Sequence, residues 1–426
     1  MKVYKILTIT RSPLNSNDNL GSTLEKILGN NECIELHNVY LRSEKYNNDI
    51  CKSVYQIPEQ KLLRSFFTRK QIGEELQLTQ KVPNFDSRDK KEDRVYNFFK
   101  RFSFYFPWLC REMMWSLGRW KNKSFESYLK KVNPDFIFFV SFNSWYPYKV
   151  LKYIQSVIPA KTIVYHVDDN YSLNQFHISP FYWIYRFKLR KCVKNTSKIA
   201  SINYCISLAQ KEAYDNYFGI DCKLLQKTAS FLKNEKEISC PIKIVFTGNI
   251  SSGRWKTLSL VGKALDEINK NHELAYLEIY TQTALTKKIS KALKCSSVKK
   301  VEQAFSNEIP SIQLSADMLL HVESFEKKDI NSVKLSFSTK IVDYVSRCRA
   351  ILAVGPFDVA SIKYFIENGT GFYICDKFNI QQRLLEIFNN RTAIKEMATK
   401  SFDKGFQMHD QTAVISRLID DLKSIQ

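Results

Sequence analysis

One strand–helix–strand run near the C-terminal end of the chain constrains the fold most. It reads HVESF, then a charged loop, then SFSTKIVDYVSRCRAILAVGP. This pattern predicts a strand over 318–322, a helix over 338–347 and a second strand over 350–354, closing on Gly355-Pro356. Strands joined through a helix indicate an open parallel sheet, in which ligands bind beyond the carboxyl ends of the strands.

Polar side chains stand at the places in this run where such a ligand would lie. Glu323 follows the first strand, and Ser338, Thr339 and Lys340 open the helix. Asp343 comes three residues after Lys340, on the same helical face. A phosphate would meet the hydroxyls, the lysine and the helix N-terminus, while a carboxylate would hold sugar hydroxyls. The run therefore predicts a nucleotide-sugar site.

Strands and helices alternate through most of the chain, which predicts an α/β class. At 426 residues the chain suits two domains of roughly 200 residues each. We predict an N-terminal Rossmann-like domain over 1–232, with an irregular or helical insertion over 44–125. The charged stretch KNEKEISCP at 233–241 reads as a linker, and a second Rossmann-like domain follows over 242–426. The expected architecture is two such domains facing a cleft.

Further strands and helices are predicted on both sides of the linker. In the first domain we expect strands over 4–10, 135–141, 161–166, 198–203 and 222–227, with helices over 21–29, 123–132, 146–156, 180–192 and 207–218. In the second we expect strands over 243–247, 277–281 and 372–375, with helices over 255–270, 284–294, 358–368 and 378–424.

The formal net charge of +21 favours an anionic partner such as a nucleic acid, an anionic membrane or a phosphorylated substrate. The lysines are spread along the chain, and no nucleic-acid-binding motif accompanies them, so we expect no nucleic-acid partner. The ten cysteines include no C-x-x-C pair, which argues against a metal site or a disulfide framework. The N-terminus reads as a first strand, and no apolar run approaches the ~18 residues that span a bilayer. We expect a cytoplasmic protein.

A second basic loop lies at the start of the predicted second domain. Gly248 and Gly253 follow a strand and allow close approach of the backbone to a ligand. Arg254 and Lys256 supply positive charge for a diphosphate. The alternative is an ordinary turn with solvated basic residues, since this glycine spacing alone is a weak pattern.

The first domain carries two weaker candidates. His166 ends a predicted strand and Asp168 follows it, so the pair would orient substrate hydroxyls or move a proton. The alternative is a helix-capping carboxylate beside a hydrogen-bonded loop histidine. Gly21 opens the first helix with Ser-Thr behind it, which suits either a phosphate contact or a plain helix cap.

The stretch 96–120 mixes aromatic residues with Lys100, Arg101, Arg111 and Arg119. This composition suits the surface of an anionic membrane, where a lipid-linked acceptor would lie. The alternative is a helix pair that breaks at Pro107 and packs on the first domain.

Taken together, these residues resemble the GT-B glycosyltransferases, close to family 4 and to the bacterial enzymes that build capsule and O-antigen chains. The resemblance is strongest over 242–375, thinner over 135–232, and rests on 4–28 near the N-terminus. It implies that Glu323 approaches the donor sugar, Asp343 the ribose, and Ser338, Thr339 and Lys340 the diphosphate. The chain departs from the family pattern in three respects. The position eight before Asp343 is Leu335 rather than a glutamate, and the second carboxylate is an aspartate. The loop that carries Arg254 and Lys256 also differs in length from the common form.

The same resemblance assigns the remaining candidates and the reaction. Arg254 and Lys256 match the basic pair at the diphosphate, and His166 matches a histidine that contacts the transferred sugar. The implied reaction moves a sugar from a nucleotide diphosphate sugar to a lipid-linked surface glycan, with retention of configuration and without a metal or other cofactor. The alternatives are a nucleotide-sugar epimerase of the same fold and a catalytically inactive, membrane-associated scaffold.

Overall fold

The computed structural model describes residues 2–15, 19–29, 31–68, 70–77, 106–167 and 176–426. The chain divides into two compact units. Unit 1 comprises Met1–Leu225 and Ile419–Gln426, and unit 2 comprises Gln226–Leu418. No helix in the described part of the chain combines the length and the apolar character needed to cross a bilayer.

Unit 1 is built on a sheet whose described strands follow the order β4-β3-β2-β1-β5-β6-β7-β8. Its strands are β1 (Tyr4–Thr10), β2 (Ile34–Tyr40), β3 (Ser53–Gln56), β4 (Glu74–Glu75), β5 (Phe136–Ser141), β6 (Lys161–His166), β7 (Ile202–Cys205) and β8 (Cys222–Leu224). Every described pairing is parallel except that of β3 with β4. All residues of β5 are buried, as is typical of an inner strand of a parallel sheet.

The helices described in unit 1 begin with α1 (Asn19–Leu28), α2 (Glu59–Thr68), α3 (Phe106–Leu117), α4 (Lys123–Val132) and α5 (Tyr146–Val157). They continue with α6 (Pro180–Ile199) and α7 (Leu208–Tyr214), which runs into a π-helical turn at Asp215–Gly219. The predicted insertion over 44–125 is wrong in part, since β3 and β4 extend the main sheet. The residues 78–105 of that stretch lie outside the described part of the chain.

Unit 2 has a sheet with the strand order β11-β10-β9-β12-β13-β14, and its pairings are parallel. The strands are β9 (Ile242–Thr247), β10 (Ala275–Tyr280), β11 (Val298–Glu302), β12 (Met318–Val322), β13 (Ala350–Val354) and β14 (Phe372–Ile374). The chain builds β9, β10 and β11 toward one edge and then crosses back to place β12 on the other side of β9. This is the Rossmann order, and its reversal point lies between β9 and β12.

The helices described in unit 2 are α8 (Arg254–Ile268), α9 (Lys287–Ala292), α10 (Ile309–Ser315), α11 (Lys327–Val333), α12 (Lys340–Val345), α13 (Ala360–Asn368), α14 (Ile380–Phe388) and α15 (Arg391–His409). A last helix, α16 (Gln411–Ser424), starts in unit 2 and ends in unit 1. The core of unit 2 is aliphatic and centres on the inner strands, with Ile244, Leu320 and Leu352 fully buried. The fold class predicted from the sequence, α/β with two Rossmann-like domains, is confirmed.

The predicted division of the chain differs from the structural one at two places. The stretch 233–241 belongs to unit 2, where the Lys236 ammonium pairs with the buried Asp317 at 2.6 Å. The end of the chain belongs to unit 1, where the Tyr204 hydroxyl donates to Asp421 Oδ2 at 2.7 Å. Both differences arise from contacts between residues distant in sequence, which local composition does not reveal.

Candidate functional site

Unit 2 places its polar candidates at the point where the strand order reverses. The backbone leaves β9 at Gly248 and β12 at Glu323, and these two strands are neighbours in the sheet. Parallel neighbours end at the same edge, so both loops open on one crevice. The structure thus brings Arg254 of the first loop next to Glu323 of the second, 69 residues away in the sequence.

The side chain of Lys340 lies directly over the backbone of Gly248. Gly248 has a φ of 134°, and a Cβ built there would come within 2.0 Å of Lys340 Nζ. Only glycine satisfies both the backbone angle and the space. The ammonium also lies 4.9 Å from the centroid of the Phe246 ring. Burial and the nearby Arg254 lower the pKa of Lys340 to about 8, against the opposing effect of Glu323 and Asp343.

Arg254 and Glu323 form a bidentate ion pair beside this lysine. Arg254 Nε and Nη2 each donate to one carboxylate oxygen at 3.0 Å. Glu323 is 1% exposed, and His321 Nε2 lies 3.5 Å from its Oε1. Burial alone would raise the pKa of the Glu323 carboxyl, but His321 and Arg254 lower it to about 2. The carboxylate is therefore charged and holds the guanidinium in place.

The first turn of α8 is fixed against the loop that follows β12. Gly253, immediately before the helix, has a φ of 75°, and a Cβ there would come within 2.3 Å of Ser324 Oγ. The Thr257 hydroxyl donates to the backbone oxygen of Glu323 at 2.8 Å. Lys256 pairs with Glu326 at 3.3 Å and is more exposed than Arg254. Of the predicted basic pair, Arg254 faces the crevice residues and Lys256 lies on the outer side of the turn.

Asp343 is paired with a lysine that the sequence did not single out. Lys227 Nζ donates to both Asp343 carboxylate oxygens at 2.8 Å, and its side chain is 12% exposed. Ser338 and Thr339 are partly exposed just before α12. Ser338 N donates to Ser361 Oγ at 3.1 Å. Lys227, Asp343 and Lys340 thus place two ammonium groups and a carboxylate around the start of one short helix.

The candidates in unit 1 have different surroundings. Gly21 lies inside α1 rather than before it, and a Cβ there would come within 2.2 Å of the Asn15 backbone oxygen. This glycine therefore allows close packing of backbone. Asp168 lies outside the described residues.

His166 is fully buried at the end of β6. Its Nε2 lies 3.4 Å from both Asn203 Oδ1 and Ser197 Oγ, and its ring meets Tyr214 edge to face. Burial lowers the pKa of His166 to about 4, so the ring is neutral near pH 7. Asn203, Ser197 and Tyr214 all belong to unit 1. A catalytic role of His166 stays a prediction.

Three site residues escaped the sequence reasoning. Lys227 escaped because its partner is 116 residues away. His321 stood inside the quoted HVESF run, and its alternation with Glu323 along the strand was the available signal. The third is Tyr344, whose hydroxyl accepts from Thr247 N at 3.0 Å and so ties α12 to the end of β9. Among the described residues no group of three His, Cys, Asp or Glu side chains is placed to hold a metal ion.

Each unit has a mainly parallel Rossmann-like sheet, and the second has charged residues at its reversal point; together the two units define a chain of the GT-B fold. Solved structures share this fold over nearly the whole chain. No protein-family model and no curated protein matches the sequence.

Three of the similar structures are as follows. Sucrose-phosphate synthase of Thermosynechococcus elongatus is 10% identical, with 99% of each chain covered and a TM-score of 0.62. HepE of Anabaena, solved with UDP and glucose, is 13% identical, with 99% of this chain and 100% of HepE covered and a TM-score of 0.59. A glycosyltransferase of Rickettsia africae is 11% identical, with 100% of this chain and 99% of that glycosyltransferase covered and a TM-score of 0.59. At these identities the likeness establishes the fold.

Proposed function

We propose that the chain is a glycosyltransferase that moves a sugar from a nucleotide diphosphate sugar to a glycan acceptor. The observation that carries this proposal is the Lys340 ammonium held over Gly248, beside the Arg254–Glu323 pair, at the reversal point of the unit 2 sheet. Cationic side chains, together with a backbone that a ligand can approach closely, suit the binding of a diphosphate at the reversal point of the sheet.

Sugar transfer requires that the departing diphosphate be stabilised. Transfer breaks the bond between the anomeric carbon and the diphosphate oxygen and forms a bond from that carbon to the oxygen of an acceptor hydroxyl, whose proton passes to the departing diphosphate. Negative charge grows on the leaving oxygen, and fixed cations stabilise it without reorganisation. Lys340 and Arg254 would supply this charge, and a metal ion would not be required. Because Glu323 holds Arg254, the guanidinium is preorganised before the donor arrives.

The carboxylates of Asp343 and Glu323 have separate proposed roles. Asp343 would accept from the ribose hydroxyls, and Lys227, which holds both its oxygens, would orient it. Ser338 and Thr339 would donate to the diphosphate. Glu323 would act first through Arg254, since its carboxylate is buried against that guanidinium. Retention of anomeric configuration follows from the family resemblance and belongs to the same proposal.

The donor is proposed to be a UDP-sugar, because HepE was solved with UDP, with UDP and glucose, and with UDP-glucose. We propose a lipid-linked surface glycan of the capsule or O-antigen type as acceptor, reached from the cytoplasmic face of the membrane. The net charge of +21 supports an anionic partner of this kind.

Calorimetric titration with UDP tests the site. Lys340→Ala should weaken UDP binding at least roughly tenfold, because a charge-assisted contact to the diphosphate is lost. Lys404→Ala, which removes an exposed lysine of α15 in the same unit, is the matched control and should bind as the wild type does. Equal affinity of wild type and Lys340→Ala would refute the assignment, and no binding of UDP, GDP or CMP would favour the scaffold alternative.

A further inference from the structure

The outward face of α6 carries large apolar side chains through its first half. Phe181, Ile184 and Phe187 follow one another at helical spacing and are 43%, 49% and 70% exposed. Just before the helix, Phe176 and Ile178 are 80% and 90% exposed. Scattered exposed apolar residues are ordinary, but a contiguous group marks a binding surface.

The second half of the same face is cationic. Lys188, Lys191, Lys194 and Lys198 are exposed, and their spacing continues the side of the helix that carries Phe187. The helix has 20 residues and contains no Asp or Glu. At 1.5 Å per residue, the face changes from apolar to positively charged along about 30 Å.

The opposite side of α6 fixes this orientation. Tyr182, Tyr185, Leu189 and Val193 are buried against unit 1. The Tyr185 hydroxyl also donates to the backbone oxygen of Asn143 at 2.9 Å. The apolar and cationic residues therefore face solvent because the rest of the helix is packed.

The residues just before α6 are also held in place. Trp183 Nε1 donates to the backbone oxygen of His177 at 2.8 Å, and the Phe176 and Trp183 rings meet edge to face at 5.8 Å. Trp183 itself is 39% exposed. These contacts keep the apolar residues before and within the helix on one continuous surface.

We infer that this surface, formed by the exposed residues of 176–198 and called here the α6 surface, docks on an anionic lipid bilayer. Aromatic and aliphatic side chains enter the boundary between headgroups and acyl chains, while lysines contact anionic headgroups. The positive charge of α6 favours an anionic membrane over an uncharged protein partner. The second half of the helix has four exposed lysines and the whole helix has no carboxylate, which matches an anionic plane.

The segment predicted from the sequence to touch the membrane, 96–120, contributes one described residue beside this surface. Trp108 is 41% exposed and its ring meets Tyr185 edge to face at 5.4 Å. Trp115 and Trp120 are each 1% exposed and belong to the core of unit 1, whereas Met113 and Leu117 are 61% and 56% exposed. The described part of that segment is therefore packed on one side and exposed on the other, and α6 is the helix that adds exposed lysines to its exposed apolar residues.

The inference goes beyond the proposed function, because docking requires neither donor nor acceptor. It would bring the chain to the surface where a lipid-linked acceptor lies. Vesicle binding and UDP binding are separate measurements on separate units, so the failure of one does not decide the other.

Cosedimentation of the full chain with vesicles tests the α6 surface. We expect binding to vesicles of phosphatidylglycerol mixed with phosphatidylcholine, weakening as salt rises, and little binding to phosphatidylcholine alone. The triple variant Phe181→Ser, Ile184→Ser, Phe187→Ser should bind at least roughly tenfold more weakly, because apolar contacts with the acyl boundary are lost. The matched control removes three exposed apolar residues of unit 2 by the changes Phe378→Ser, Leu385→Ser and Phe406→Ser and should bind as the wild type does.

The lysines are tested in the same assay. Reversing Lys188, Lys191 and Lys194 to Glu should weaken binding by roughly a hundredfold or more, since each lysine near an anionic surface strengthens it several-fold. The control reverses three lysines of α15, Lys395, Lys400 and Lys404. Thermal melting must show that each variant stays folded.

Three results would overturn the inference. The first is equal binding to neutral and anionic vesicles, and the second is unchanged binding by both triple variants of the α6 surface. The third is a self-associated wild type that ignores vesicles and becomes monomeric when the apolar residues of α6 are changed. That result would assign the surface to a second copy of the chain.

Discussion

The lowered pKa of Lys340 predicts that nucleotide affinity falls as pH rises through 8. Burial and Arg254 lower this pKa to about 8 in the free protein. A bound diphosphate favours the charged ammonium and so raises the pKa again. Lys340 is about nine-tenths protonated one unit below its pKa and about one-tenth protonated one unit above it. Affinity for UDP should therefore fall about tenfold between about pH 7 and about pH 9.

Calorimetry measures this effect directly. Titrations with UDP in buffers of different ionisation enthalpy report the protons taken up on binding. Near pH 8 the uptake should be about half a proton per UDP, because about half of the free protein must gain one. Phosphate groups, with a second pKa of about 6, change little in charge over this range.

Two variants separate Lys340 from the other titrating groups. Lys340→Arg keeps its charge at all these pH values and should bind with a nearly flat pH profile and no linked proton uptake. Lys404→Ala should keep the wild-type profile. The reasoning is refuted if wild-type affinity is flat from about pH 7 to about pH 9, or if Lys340→Arg shows the same decline as the wild type.

Two further substitutions test the neighbours of this lysine. Gly248→Ala should reduce the free energy of unfolding by about 1–3 kcal/mol, since φ is 134° there, and should weaken UDP binding at least roughly tenfold by displacing the Lys340 ammonium. Thermal melting and calorimetry measure the two effects, and full UDP affinity in this variant would contradict the placement. Glu323 has a pKa of about 2, below its ordinary value of 4.5, so its stabilising contribution is complete above pH 4.5 and is lost as pH falls toward 2. Glu323→Gln should therefore lower the free energy of unfolding near neutral pH by about 3 kcal/mol, and its stability should change less than that of the wild type as pH falls toward 2. Urea unfolding near neutral pH and at acidic pH measures both effects. A urea midpoint equal to that of the wild type at neutral and at acidic pH would contradict the buried ion pair with Arg254.

The central strands of unit 2 could be predicted closely because their side chains are apolar on both faces. The predicted strands 318–322 and 350–354 coincide with β12 and β13. Other elements lacked such a signal. The charged loop predicted after Phe325 contains the helix α11, and nothing in KKDINSV has the apolar periodicity of a buried helix. The strand β3 lies in the stretch predicted to be irregular, and no element was predicted where β2 lies, because polar residues interrupt the apolar pattern of both strands.

The positions of the site residues followed from topology, whereas their pairings did not. Ends of adjacent parallel strands meet at one edge, which made the proximity of Gly248, Glu323 and Lys340 predictable. That Glu323 would face Arg254, and that Lys227 would hold Asp343, depends on side-chain packing between residues far apart in sequence. The position of His166 at the end of a strand is likewise visible in the sequence, whereas its burial depends on residues distant in sequence, such as Tyr214.

Sugar transfer itself is the central claim, and a product assay tests it most directly. The full chain is incubated with a panel of nucleotide sugars, with and without a lipid-linked glycan extract, and products are followed by mass spectrometry. The proposal predicts release of a nucleoside diphosphate that depends on the acceptor, together with acceptor heavier by one sugar residue, and loss of both in Lys340→Ala. Acceptor-independent isomerisation of the sugar would indicate an epimerase, and either that result or an unimpaired Lys340→Ala would contradict the account.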